Sequence, residues 1–429
     1  MTDIAAQRPF GFWTTIALVV GGMVGAGIFV QPAQLAPFGW TGVVAWFVAI
    51  PGAMLLAAIL AKLTAARPNA TGGIAIVGEA LGTLPGVLVG WSYWVGVWSA
   101  NAIISLTAVR YAASFVPALI ATPLSTAIAA TALIWALTAL NLGGAKGAGR
   151  FQVATTVLKL LPLLAVVLIV AALAVTDSAR FSANPHSPFR VHDLTTALTL
   201  AFFPLVGFEA ASLVAARVRD PARNVLRATL YGTALTGLFY VVISNGVAFA
   251  LPEATVAASS APIALFVANF WGQNASLAVA AFAAIAAIGC LNGWVLMQGE
   301  IPLGMARSVL LPAIFARTNT RDVPVVAILT STTLASLLVL AGAVPGMPDI
   351  LTFMLQLTTA AAVWFYVGAC VAAVALGIAR ALALVGIAFS AWVLWGCGVQ
   401  PLAWSVALML TAVPLYFLRP RRALTEQPA

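Results

Sequence analysis

Charged side chains are scarce in this sequence. They make up 7% of its 429 residues, whereas 62% are hydrophobic. A soluble domain carries about 25% charged residues because its surface must face water. Apolar runs of roughly 20 residues, the length that crosses a bilayer, recur from end to end, and no long polar stretch separates them. We therefore predict one all-α transmembrane domain over residues 1–429, solvated by lipid.

Histidine and cysteine are also rare, which limits the available chemistry. The two histidines, His186 and His192, fall in one predicted loop, and the three cysteines, Cys290, Cys370 and Cys397, fall inside apolar runs. This spacing provides neither a set of metal ligands nor a disulfide framework. The sequence also shows no catalytic triad and no nucleotide-binding loop. We expect a protein that is not an enzyme and that carries no metal or cofactor.

The net charge of +9 raises the question of a nucleic-acid partner. The basic residues do not form a stripe with interleaved aromatics, which is the footprint of a nucleic-acid surface. They lie in short loops between apolar runs, the pattern of membrane topology signals. We therefore expect membrane lipids, and no nucleic acid, as partners.

The apolar runs predict about twelve transmembrane helices. Two further segments, 72–82 and 301–318, are predicted to lie at the membrane interface. The twelve helices are expected near 11–35, 39–63, 84–112, 124–143, 151–175, 195–216, 226–250, 277–299, 325–344, 349–378, 381–398 and 400–418.

The basic residues also predict the orientation of these helices. If the N-terminus is cytoplasmic, 16 of the 20 basic residues lie on the cytoplasmic side. Arg110, Arg180 and Arg190 lie outside, and Lys159 lies within a span. Cytoplasmic loops of membrane proteins are enriched in lysine and arginine. We therefore predict a multi-pass protein of the cell inner membrane with both termini in the cytoplasm.

The first predicted helix contains Gly21, Gly22, Gly25 and Gly27 within seven residues. Each glycine costs a helix roughly 1 kcal/mol relative to alanine. The glycines are consistent with close packing of helices in lipid, since small residues let backbones approach. They are also consistent with an unwound stretch that lines a cavity, the one setting in which non-helical backbone is tolerated at membrane depth. We favour the unwound stretch.

The sixth predicted helix is interrupted in a similar way. Pro204 and Gly207 both weaken a helix here, and Glu209 follows inside the same span. A carboxylate within a membrane marks a functional site unless it only makes a structural hydrogen bond to a neighbouring helix.

Broken helices in corresponding positions of two halves indicate a transporter built as an inverted repeat. Helices 1 and 6 are five apart, which predicts a 5+5 repeat. The first repeat covers 11–175, and the second begins with 195–344. Residues 349–418 contain the last helix of the second repeat and two additional helices. The substrate site is expected at the midplane, where half-helix N-termini face a substrate carboxylate.

Several short motifs surround these breaks. Helix 1 carries Gly25-Ala26-Gly27-Ile28-Phe29, and helix 6 carries Gly207-Phe208-Glu209. Helix 3 carries Tyr93-Trp94, Trp98 and Asn101, and helix 8 carries Gly293-Trp294. Over residues 10–375 the sequence resembles the amino acid–polyamine–organocation superfamily. Within it, the sequence resembles the branch of basic amino acid and polyamine antiporters that includes arginine/agmatine antiporters. The resemblance implies the leucine-transporter-type fold, frequent dimerisation and transport by alternating access.

The resemblance also implies roles for single residues. Trp294 would wall the site, and Asn101 with the backbone at Gly96 and Val97 would contact the distal end of the substrate. Tyr93 and Phe203 would form gates, and Glu209 would bind a cation or couple protons. The expected substrate site comprises Gly22, Gly25, Ala26, Gly27, Gly96, Val97, Asn101, Phe203, Leu205, Glu209, Trp294 and Gln356.

Two departures from that branch affect helix 1. Gly22 and Ala26 stand where members of the branch have asparagine and serine, so backbone groups alone would hold the substrate's amino and carboxylate ends. In helix 10, Gln356 and Thr358 are the nearest polar residues to a position that contacts a guanidinium in the branch.

Lys159 is a further departure, because the branch has a small apolar residue there. One interpretation is a lysine that extends its long stem towards the cytoplasm. Proton-coupled relatives carry a lysine in a similar Lys-Leu-Leu context, where its ammonium takes the place of a sodium ion. We predict that Lys159 bridges helix 5 to the break in helix 1 and, with Glu209, couples transport to protons.

The function predicted from these features is secondary active transport of amino acids or related amines, by antiport or proton coupling. A neutral amino acid permease or exporter of the same superfamily is the alternative. An ion channel or sensor is a more distant one, since a channel would favour a ring of pore-lining groups in symmetric subunits.

Overall fold

The computed structural model describes residues 11–67, 72–143, 158–177, 179, 181, 184–213, 218–344 and 350–419. Arg180 and the segment 151–157 of the predicted fifth helix lie outside these ranges. The helices are α1 Phe12–Met23, α2 Gly27–Leu35, α3 Trp40–Ala66, α4 Gly73–Leu81, α5 Thr83–Ala112, α6 Pro123–Leu142, α7 Leu160–Thr176, α8 Val191–Phe202, α9 Ala210–Leu213, α10 Pro221–Ala250, α11 Glu253–Ala257, α12 Pro262–Trp271, α13 Gln273–Arg307, α14 Val325–Ala341, α15 Ile350–Ala375, α16 Arg380–Gly396, α17 Val399–Leu410 and α18 Ala412–Leu418.

The helical, multi-span architecture predicted from the sequence is present. Within the described residues, seven helices are long and apolar enough to cross a membrane, and the bent pair α1–α2 would make an eighth span. Others, such as α7 and α14, are apolar but shorter. A helix suits lipid because it satisfies its backbone hydrogen bonds internally. The total of twelve spans and the 5+5 repeat remain predictions.

The largest correction to the predicted boundaries concerns α13. The eighth helix was expected to end near residue 299, with a separate interfacial segment from 301, but α13 continues to Arg307 through Pro302. A proline leaves the carbonyl four residues earlier without its helical donor. Here the Trp94 indole N–H donates to that carbonyl, on Gln298, at 3.0 Å. The substitute donor explains why the helix survives its proline.

Two smaller differences lie at the ends of other helices. The predicted last helix, 400–418, is divided at Thr411 into α17 and α18. The connection after α10 contains two short helices, α11 and α12, that the sequence analysis did not predict.

The helices pack as two groups around the broken segments. One group consists of α1, α3, α8 and α10, and the other of α5, α6, α13 and α14, with α15 packed against both α5 and α3. In the most apolar 18-residue stretch of α5, 89% of the residues are buried, so this helix forms the centre of the core. The two breaks face a wall made largely by α5, α13 and α15.

Candidate functional site

The first helix is interrupted where its glycines cluster. Helix α1 ends at Met23, α2 begins at Gly27, and the two axes differ by 45°. Val24 leaves the helical region with ψ of 86°. The end of α1 thus presents backbone carbonyls, and the start of α2 presents backbone N–H groups, at one place in the fold.

The second interruption follows α8. A short 3-10 turn covers Phe203–Leu205, and regular helix resumes at Ala210. Gly207 adopts a φ of 120°, which side-chain-bearing residues rarely adopt. A Cβ on Gly207 would lie 2.7 Å from the Gly22 carbonyl oxygen. The two breaks therefore touch, and only glycine permits the approach.

A cavity of about 40 Å³ lies beside the touching breaks. Nine predicted site or gate residues line it, and none of the residues that line it carries a charged side chain. At this volume the central cavity holds a few water molecules, so the substrate expected from the sequence would enter only if Phe203, Trp294 or the breaks moved. The predicted residues that line it are Gly22, Gly25, Ala26, Gly27, Tyr93, Gly96, Val97, Phe203 and Trp294.

Glu209 lies behind the wall of this cavity. Its carboxylate is fully buried and accepts hydrogen bonds from Tyr93 Oη at 2.6 Å, Tyr366 Oη at 2.9 Å and the Gly207 N–H at 3.0 Å. Tyr93 lines the cavity and Glu209 does not. The carboxylate therefore reaches the cavity through the Tyr93 hydroxyl.

Tyr366 was missed in the sequence analysis. A tyrosine within an apolar span needs a hydrogen-bond partner when it is buried, and that need was the available signal. The signal does not identify the partner, which is 157 residues away in sequence.

Three other predicted site residues lie outside the cavity wall. Asn101 is buried and its amide donates to Gln298 Oε1 at 2.6 Å, so it joins α5 to α13. Leu205 is buried in the 3-10 turn. Gln356 does not line the cavity, whereas Thr358, two residues on, does, and its hydroxyl lies 2.8 Å from that of Ser99.

Lys159 contacts the break in the first helix. Its side chain is 3% exposed, and Nζ donates to the Gly21 carbonyl at 2.8 Å. Nearby, Tyr240 Oη donates to the Met23 carbonyl at 2.7 Å. Two carbonyls at the end of α1 thus have side-chain donors from α10 and from the residue preceding α7.

A second, larger cavity has a volume of about 610 Å³. Three helices line both cavities, and the second cavity lies one to two turns further along each. On α2 the lining passes from Gly27 to Gln34, on α5 from Ile104 to Arg110, and on α15 from Thr358 to Leu351. The orientation predicted from the basic residues makes this the external end.

Comparison with known proteins identifies the family to which this sequence is similar. Residues 10–416 match the family described as Amino acid permease. The chain is 30% identical to the cadaverine/lysine antiporter of Escherichia coli (strain K12) over 326 residues, 75% of this chain and 72% of that protein. It is 25% identical to the putrescine transporter PotE of the same strain over 427 residues, 96% and 97% of the two chains. The putrescine transporter PotE of Haemophilus influenzae is 26% identical over 347 residues, 80% of this chain and 79% of that protein.

Proposed function

The chain belongs to the amino acid permease family, and from that premise we propose that it moves amino acids or related amines across the inner membrane by alternating access. It is a multi-pass membrane transporter and not an enzyme. Its relatives are named for lysine, cadaverine and putrescine. We propose substrates of the same chemistry, exchanged for one another or coupled to protons.

The observation that carries this proposal is the pair of touching breaks beside the central cavity. The last turn of α1 and the first turn of α2 both line it, at Gly22 and Gly27. The carbonyl end of a helix favours cations, and the N–H end favours anions. An amino acid carries both charges on one carbon, so its ammonium fits the end of α1 and its carboxylate fits the start of α2.

The substrate's side chain would extend along the aromatic wall. Trp294 and Phe203 line the cavity, and an alkyl-ammonium group is attracted to the face of an aromatic ring. Tyr93 donates its proton to Glu209, so the oxygen lone pairs of Tyr93 remain available to a substrate ammonium. Cation selection would therefore act through Tyr93, with Glu209 fixing the hydroxyl.

The unequal cavities support alternating access. The second cavity is wide and the central one is too small for an amino acid. We expect this combination in a state that is open on one side, the external one in the predicted orientation, before a substrate site has formed at the centre. Movement of the α1–α2 and α8–α9 segments against α5, α13 and α15 would open the other side. The glycine contacts at the breaks supply positions where these segments bend.

Coupling is proposed to involve Lys159 and Glu209. The Lys159 ammonium donates to the Gly21 carbonyl beside the break. There it would supply the positive charge that a bound sodium ion supplies in sodium-coupled relatives. We therefore propose transport without sodium, with protons as the coupling ion where exchange is not obligatory.

A second candidate is a permease for neutral amino acids. It is favoured by the fact that no residue lining the central cavity is charged. Such a protein would use the same helix ends for the zwitterion and the same aromatic wall for an apolar side chain.

A thermal-shift screen on purified protein separates these candidates, since a ligand that binds the folded state raises its stability. We expect lysine, ornithine, arginine, putrescine or cadaverine to raise the melting temperature. If only neutral amino acids do so, the second candidate replaces the first. If no amino acid or amine does so, the proposed function is wrong.

A further inference from the structure

Helix α10 carries a row of hydroxyl groups on one face. Thr229, Thr233, Thr236 and Tyr240 follow one another at spacings of four, three and four residues, which align on one side of a helix. All four side chains are fully buried. We call these four residues the hydroxyl row.

The row contains polar atoms that the structure leaves unpaired. Tyr240 donates to the Met23 carbonyl, but the hydroxyls of Thr229, Thr233 and Thr236 have no hydrogen-bond partner among the residues that the structure describes. A threonine buried in a helix commonly donates to the carbonyl one turn earlier, as Thr107 does to Ile103 at 2.8 Å. A buried hydroxyl without a partner is unfavourable, and here three follow one another.

Two glycines show where the row points. A Cβ on Gly232 would lie 2.7 Å from Val19 Cγ1 of α1, and a Cβ on Gly237 would lie 2.8 Å from Ile50 Cγ2 of α3. With 3.6 residues per turn, Gly232 falls on one flank of the row and Gly237 on the other. The row therefore faces the seam between α1 and α3.

The seam contains a further buried hydroxyl at its edge. Ser212, on α9, is 1% exposed, and within the described part of the chain its hydroxyl also has no hydrogen-bond partner. Helix α9 packs against α1, α3 and α10. The unpaired hydroxyls thus come from two elements that meet at one seam.

The row connects one membrane face with the break. Helix α10 starts at the end that carries the exposed Arg223 and Arg227, the face predicted to be cytoplasmic. From Thr229 to Tyr240 the helix rises about 16 Å. At the far end Tyr240 contacts the Met23 carbonyl, two residues from the carbonyl that accepts from Lys159.

We propose that the hydroxyl row lines a water path from the cytoplasm to the break in the first helix. The path is closed in this structure, because α1 packs over the row, and it opens when α1 moves away from α10. Each threonine hydroxyl then bonds a water molecule, which accounts for three donors that are unpaired in the closed state. The proposal rests on the proposed function in one respect, the movement of α1 during alternating access.

The test is the accessibility of single cysteines in inside-out membrane vesicles. Thr233→Cys and Thr236→Cys are treated with a charged, membrane-impermeant methanethiosulfonate from the cytoplasmic side. Leu235→Cys is the matched control. Leu235 lies between the two threonines on α10, but its side chain is 45% exposed on the outer face of the helix, away from the hydroxyl row. The unmodified chain, with its buried cysteines, gives the background rate.

We expect both row thiols to react at least about tenfold faster than the control, because a thiol must ionise in water to react. If both thiols are labelled as slowly as that of Leu235→Cys, the hydroxyl row contacts protein only and no water, and the proposal is wrong. The labelling rates are read without any measurement of transport. A wild-type protein that carries no substrate would reject the proposed function and leave the labelling result to decide the water path.

A second variant removes the hydroxyls without changing side-chain shape. Thr233→Val/Thr236→Val should keep or raise the melting temperature, because no hydrogen bond is lost in the closed state, and should slow transport about tenfold. Thr107→Val, which loses a paired hydroxyl elsewhere, should transport as wild type. Wild-type transport in the double variant would also overturn the proposal.

Discussion

Tyr93 Oη lies 2.6 Å from Glu209 Oε1, and this bond places a fully buried carboxylate one side chain away from the central cavity. The same carboxylate accepts from Tyr366 through its other oxygen. Of the two tyrosines, only Tyr93 lines the cavity. This asymmetry separates a role in stability from a role in substrate recognition.

Replacing each tyrosine by phenylalanine tests that separation. Tyr93→Phe removes the tyrosine donor to Glu209 Oε1, whereas Tyr366→Phe removes one of two donors to Oε2, which keeps the Gly207 N–H. Each variant should lower the free energy of unfolding by about 1–3 kcal/mol, with the smaller loss for Tyr366→Phe. Only Tyr93→Phe should also weaken substrate binding, measured as KM or as the ligand-induced thermal shift. Equal effects of the two variants on KM would contradict a direct role for Tyr93.

Glu209→Gln keeps the shape of the side chain and removes its charge. If Glu209 couples protons or holds Tyr93 for a cationic substrate, transport or its dependence on pH should be lost. Uptake is measured across a series of pH values with wild type and variant side by side. Glu253→Gln is the control, because Glu253 does not line the central cavity and instead accepts hydrogen bonds from the backbone N–H and hydroxyl of Ser187. Unchanged uptake in Glu209→Gln rejects both roles.

Lys159→Ala removes the ammonium from the Gly21 carbonyl. We expect loss of transport, because the break then lacks the positive charge that otherwise joins it to α7. Wild-type uptake should be equal in sodium and in choline buffers. Transport that requires sodium and is insensitive to Lys159→Ala would show that the lysine does not replace the ion.

Gly207→Ala tests the contact between the two breaks. The added Cβ would lie 2.7 Å from the Gly22 carbonyl oxygen at a φ of 120°. Transport should be lost, and stability should fall by about 1–3 kcal/mol from backbone strain alone. Gly82→Ala is the matched control, since Gly82 also has a positive φ but open space around it. It should lose stability and keep its transport per folded molecule.

Local sequence features predicted the positions of the breaks well. Clustered glycines marked the first break, and Pro204 with Gly207 marked the second, because both residue types disfavour a continuous helix. The side chains that surround the central cavity were partly predictable for the same reason, since several of them are the glycines themselves.

Contacts between distant helices were not predictable from local pattern. The Asn101 amide donates to Gln298 and, contrary to the prediction, does not line the central cavity. The continuation of α13 through Pro302 depends on a hydrogen bond from Trp94. Each case is a hydrogen bond between residues about 200 positions apart in sequence. One sequence alone holds no signal for which buried donor meets which buried acceptor.

The central claim is that the touching breaks hold an amino acid or amine that the protein exchanges across the membrane. The most direct measurement is uptake of labelled lysine, putrescine or leucine into liposomes that contain the purified protein and an excess of unlabelled lysine or cadaverine. The account predicts uptake of lysine or putrescine that depends on the internal substrate and persists without sodium. Absence of exchange for all three labelled compounds, with folded protein in the liposomes, would contradict it.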